Sequence, residues 1–141
     1  MIHSQMEKVV AAVPTAVGSS AVTLTIDTIG WDHTSVSVLR ASNASTVFAS
    51  VLKVEESDDN STFSNVSGFL GGTDFTIPAV SDTSSAAIVK LDLNTQSKKR
   101  YLKVTATPAV SVNTIVTARQ SRGENAPSTA AEAGVIGWVK G

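Results

Sequence analysis

Val47 to Val66 reads VFASVLKVEESDDNSTFSNV, and this stretch decides the fold. Phe48, Ser50, Leu52 and Val54 fall on one side of an extended chain, and Ala49, Val51, Lys53 and Glu55 on the other. An alternation of period two belongs to a half-buried strand. Ser57-Asp58-Asp59-Asn60-Ser61 interrupts it. Asp and Asn side chains bond their own backbone and tolerate positive φ, so this cluster makes a turn. Thr62 to Val66 resumes the extended pattern. The unit is a β-hairpin with a polar tip.

Similar units lie on both sides. Val22, Leu24 and Ile26 alternate with Thr23, Thr25 and Asp27, and Thr28 to Asp32 follows as a turn. A strand from Ser35 to Arg40 comes next. Ser67 to Ser85 reads as a long polar, Gly-containing connection, with a short strand expected near Phe75–Ile77. Ile88 to Leu93 alternates, Asn94 to Ser97 turns, and Arg100 to Thr107 alternates again. Pro108 ends that strand, because it has no N–H for the ladder. Val112 to Gln120 is the last strand. About eight short strands with turn signals between them indicate an all-β antiparallel sandwich or jelly roll.

The ends differ from this body. Residues 1–19 read as an N-terminal arm, broken by Pro14 and Gly18. Met6, Val9, Val10 and Val13 could share a helical stripe, but the segment is short for a helix. Residues 20–120 form the β domain, and 121–141 a C-terminal arm. Ser121 to Gly134 resembles a linker in composition. Val135, Ile136, Trp138 and Val139 then close the chain with apolar side chains. A free tail does not normally leave such residues in water. It docks either on its own domain as an edge strand or on a neighbour, and strand addition is one such mode.

Composition narrows the function classes. The 141 residues are enough for one domain, with 42% hydrophobic, 5% aromatic and 16% charged residues. Val and Thr, stiff at χ1, favour strands. The net charge of −1 and the single basic run Lys98-Lys99-Arg100 give no surface to neutralise phosphates. No cysteine is present, which removes disulfides and thiolate chemistry. The N-terminus makes a poor secretion signal, since Glu7 and Lys8 fall where an apolar run is needed. No stretch approaches the ~20 apolar residues of a membrane span.

No catalytic motif emerges. His3 and His33 lack metal-ligand spacing. Glu55, Glu56, Asp58, Asp59 and Asn60 could offer oxygens to calcium, but they lack the spacing of a calcium loop, and a charged turn explains them. Asp27, Asp32, Asp74, Asp82 and Asp92 are scattered, with no marked acid/base pair. No nucleophile elbow, P-loop or dinucleotide fingerprint occurs. Trp31 and Trp138 could stack on sugars, although a Trp beside a turn is more often a core cap. Asn-x-Ser/Thr matches at Asn43, Asn60 and Asn65 are common by chance in so Ser/Thr-rich a chain.

Three segments together carry a resemblance. They are Thr25-Ile26-Asp27-Thr28-Ile29-Gly30-Trp31-Asp32 leading into Ser35–Val38, Lys53-Val54-Glu55-Glu56-Ser57-Asp58-Asp59-Asn60-Ser61-Thr62-Phe63, and Lys99-Arg100-Tyr101-Leu102-Lys103-Val104. This order is similar to small virion proteins of tailed bacteriophages that decorate, or cement, the capsid. The resemblance spans roughly residues 22–107. It implies a β-sandwich or jelly-roll subunit, made in the host cytoplasm and bound to the outer surface of the phage head. The major capsid protein would be its partner. A homotrimer or homodimer at a local symmetry axis is the expected state. No cofactor, metal, nucleic acid, membrane or enzymatic activity is expected. Met6, Val9, Val10, Val13, Val135, Ile136, Trp138 and Val139 are the candidate intersubunit or capsid contacts. The alternatives are a carbohydrate-binding sandwich module and a neck or tail component.

Overall fold

A computed structural model describes residues 3–11 and 18–141. Among them are eight strands: β1 (Lys8–Ala11), β2 (Val22–Asp27), β3 (Trp31–Arg40), β4 (Val51–Ser57), β5 (Ser64–Leu70), β6 (Ala87–Asn94), β7 (Tyr101–Thr107) and β8 (Thr114–Gly123). The helical segments are short 3-10 turns at His3–Met6 and Thr95–Ser97. Two four-stranded sheets run in the orders β1-β8-β3-β6 and β2-β7-β4-β5, and every pairing is antiparallel. Strand 1 pairs with 8, 2 with 7, 3 with 6 and 4 with 5, the pairing of one long hairpin. Rolling that hairpin up brings β8 beside β3 and β7 beside β4. The result is an eight-stranded jelly roll.

The core lies between the sheets and is built from the alternation. Val22, Leu24 and Ile26 of β2, Val36 and Val38 of β3, Leu52 and Val54 of β4, and Leu102, Val104 and Ala106 of β7 are all buried. Their intervening neighbours face outward, because successive side chains leave a strand on opposite faces. Each fully buried Val or Leu contributes roughly 1.5–3 kcal/mol relative to exposure. The core is aliphatic, with Phe48 its one fully enclosed aromatic side chain among the described residues.

Several boundaries differ from the sequence reading. Phe48 and Ala49 are both buried, so the alternation starts only at Val51, where β4 begins. Val47 instead forms an isolated bridge to Ala79. β3 starts at Trp31, earlier than its apolar pattern, and β8 runs on to Gly123. Phe75–Ile77 makes no strand; Phe75 forms a single bridge to Gly71. The N-terminal segment, too short for a helix on its sequence, forms no helical stripe over Met6, Val9 and Val10. Met6 lies in the 3-10 turn, while Val9 and Val10 lie in β1. Within the segment read as an N-terminal arm, β1 pairs along β8 as an edge strand, Lys8↔Gln120 to Ala11↔Thr117. Val13 lies outside the described residues.

Candidate interaction surface

The three segments that carry the family resemblance meet in space. Arg100 donates to Asp27 through two bonds, Nε to Oδ1 at 3.0 Å and Nη2 to Oδ2 at 2.9 Å. Thr28 Oγ1 donates to the Arg100 carbonyl at 2.6 Å. The Lys99 amide donates to Glu56 at 3.0 Å, and its ammonium lies 3.5 Å from Asp58. Glu55 sits between Lys53 and Lys103, each at 3.2 Å. The motif residues thus tie the β2–β3 turn, the β4–β5 hairpin and the start of β7 into one clasp.

These carboxylates are committed to structure. The Arg100 guanidinium holds Asp27 below the ordinary carboxylate range. Burial would raise Glu55, but Lys103 and Lys53 outweigh it and hold it low. Asp59 accepts from the Thr62 amide, the Ser57 hydroxyl and the Ser61 amide, which together lower it to about 2. Its oxygen closes the hairpin tip, as the Asx-turn reading expected. Ser84 and Ser85 hold Asp82 low in the same way. Among the described residues no three metal-ligating side chains converge, and no helix is long and apolar enough to cross a membrane. His33 Nδ1 lies 3.5 Å from Ser121 Oγ.

The segment after β8, linker-like in composition, is ordered by local chemistry that was legible in Thr129-Ala130-Ala131-Glu132-Ala133-Gly134. Thr129 Oγ1 accepts from the Glu132 amide, and Glu132 accepts back from the Thr129 amide and from Ser128. That reciprocal arrangement is a capping box. Gly134, at φ +75°, ends the turn. Its amide bonds the Ala131 carbonyl and the Val135 amide bonds the Ala130 carbonyl, which is the Schellman closure that favours glycine. The closed turn then docks on β1: the Val9 amide donates to the Ala133 carbonyl at 2.8 Å. A Cβ on Gly134 would come within 2.0 Å of the Val9 carbonyl oxygen.

Beyond Gly134 the sequence-singled apolar residues separate. Val135 and Trp138 are half-buried, and Lys140 Nζ lies 3.7 Å above the Trp138 ring centroid. Ile136 and Val139 are 110% and 98% exposed. No strand forms here, so the tail does not extend the sheet. Val9, Val135, Trp138 and Val139 border one shallow groove of about 350 Å³, together with Glu7 and Arg119. Val10 instead packs against the core, and Met6 is partly buried.

A second groove, of about 430 Å³, is lined by an earlier part of the same segment. Trp31 forms one wall. Its cross-strand partner is Gly123, and the indole lies so close over it that a Cβ there would meet ring carbons at 2.7–3.1 Å. Lys8, Asn125, Ala126, Pro127, Ser128 and Glu132 complete the lining. Trp31 is therefore partly exposed rather than a cap on the core.

No protein-family model matches the chain, and no curated protein matches it. Among solved structures, it is similar to the CBM22-1–GH10 modules of the endo-1,4-β-D-xylanase 10B of Clostridium thermocellum, solved with xylohexaose. That match has a TM-score of 0.40 and 9% identity over 91% of this chain. This chain spans only 28% of that one. A Bacillus endospore appendage, from a family of disulfide-linked pili, aligns at TM-score 0.31 and 14% identity, covering 86% of this chain and 95% of its own. Similarities this distant carry no argument about function.

Proposed function

We propose that the protein is a structural virion component that decorates the outer surface of an assembled phage head and stabilises it. The observation that carries this reading is the tail: Ile136 and Val139 stand wholly in water on a segment that the Ala133–Val9 bond and Gly134 hold firmly against β1. Apolar side chains displayed from a fixed base are suited to a protein partner. The motif resemblance supplies the kind of partner, the major capsid protein. The clasp joining the motif segments supports a mechanical role, since its carboxylates hold strands and turns together. A subunit that binds the assembled shell but not its free building blocks stabilises the shell by mass action. The subunit acts as a homotrimer or homodimer, so that several tails engage at once and their weak contacts multiply.

The test is co-sedimentation of the purified protein with assembled, undecorated heads, counting copies per shell. Saturable, stoichiometric binding to shells and not to free capsid subunits is the expected result. Absence of binding to shells would overturn the reading and shift it to a neck or tail position.

A further inference from the structure

We propose that the groove walled by Trp31 is a binding site for a neutral, pyranose-containing glycan. This goes beyond the decoration role and does not rest on it. A pyranose has a face of C–H groups and a rim of hydroxyls. It therefore needs an aromatic surface beside a few donors and acceptors, in an open groove that admits a chain. The groove has this composition. Its aromatic wall is preorganised, because the ring lies over the bare backbone of Gly123 and cannot collapse inward without meeting it. A large hydrophobic body presented with little remaining freedom is an efficient stacking surface.

Polar groups share the lining with the ring. The Asn125 amide offers both a donor and an acceptor, and Lys8 offers donors. Glu132 stays ionised, its charge favoured by bonds from the Ser128 amide and hydroxyl and the Thr129 amide. Those bonds all go to Oε2, which leaves Oε1 to accept from hydroxyls. A carboxylate is the strongest hydroxyl acceptor among side chains. The volume of about 430 Å³ falls within the range of small-ligand sites.

The charges select the class. Lys8 and Glu132 bring one charge of each sign, so the groove has no net attraction for an anion. A nucleotide phosphate would find one ammonium and a neighbouring carboxylate. A sialylated sugar would bring a second carboxylate beside Glu132. A neutral saccharide meets neither penalty.

The intact protein would be screened against an array of neutral and sialylated glycans. Hits would then be titrated by heteronuclear NMR, following the Trp31 indole N–H with Trp138 as internal reference. Neutral glycans should shift Trp31 and Asn125 saturably and leave Trp138 in place. Trp31→Ala should weaken binding at least tenfold, and Trp31→Phe, which keeps an aromatic surface, severalfold. Should Trp31→Ala fail to fold, Asn125→Ala on the exposed loop should still cost about threefold or more. The proposal is overturned if no neutral glycan moves Trp31, if sialylated glycans bind better, or if folded Trp31 and Asn125 variants bind like the parent. Because no capsid is present, the result is separate from that of the co-sedimentation test.

Discussion

Arg40 and Thr114 face one another across the β3–β8 ladder inside the sandwich, 1% and 4% exposed. Arg40 donates through Nη2 to the Ser45 carbonyl at 2.9 Å, while its Nε and the Thr114 hydroxyl have no partner in the protein. Among the described residues no carboxylate pairs with this cation. A buried charge without a counter-charge has lost its hydration at a cost of several kcal/mol, and a hydrophobic chain of similar length that fills the space avoids that cost. Arg40→Met should therefore match or exceed the parent in denaturant unfolding. Arg40→Lys, with a shorter stem and a more strongly hydrated charge, should fall below it. A large loss of stability in Arg40→Met would show that Arg40 has a role the core packing does not reveal.

Gly134→Ala should release the C-terminal segment without unfolding the sandwich. The added Cβ meets the Val9 carbonyl, and φ +75° is unfavourable for alanine. Hydrogen exchange should show faster exchange at the Val9 and Val135 amides, while Val36 and Val104 remain protected. Unchanged protection at Val9 would contradict the docking.

Acid should weaken the hairpin tip. Asp59 is lowered to about 2 in the folded protein, against 3.8 for the free group. A lowered folded-state value stabilises above the free value, and that contribution is lost as pH falls through the folded one. Asp59→Ala should thus melt below the parent at pH 7, with the gap closing between about pH 4 and 2. Asp27, lowered by Arg100, acts in the same direction. A gap independent of pH would show that the carboxylate's charge is irrelevant to the turn.

Ile136→Ser with Val139→Ser should leave the melting temperature unchanged, since neither side chain is buried in the subunit. Binding to assembled heads should drop at least tenfold. Normal binding would exclude the tail as the attachment point.

Much of the sandwich was legible because burial on one face imposes an alternation that residues such as Val22-Thr23-Leu24-Thr25-Ile26 display directly. β1 was not, since Lys8-Val9-Val10-Ala11 is a four-residue edge strand stabilised by β8 and by Ala133, both remote in sequence. The start of β3 was hidden because Trp31-Asp32-His33-Thr34 has no apolar stripe; Thr34 points inward and is buried as a polar residue. The candidate contacts Ile136 and Val139 stood out as apolar residues in a tail. The Trp31 groove did not, because much of its lining comes from residues 125–132, nearly a hundred positions along a segment whose composition resembles a linker.

The pairing of β1 with β8 and of β2 with β7 also governs how the chain reaches this state. Only β4 and β5 are close in sequence among the main pairings, joined by the turn that Asp59 closes. Each later pair encloses a longer loop, with a growing entropic cost of closure. Assembly should begin at that hairpin and proceed outward, with the terminal strands zipping last. During synthesis β1 emerges before the other strands yet waits for β8, so the sheet that carries the tail can be completed only after all eight strands have left the ribosome.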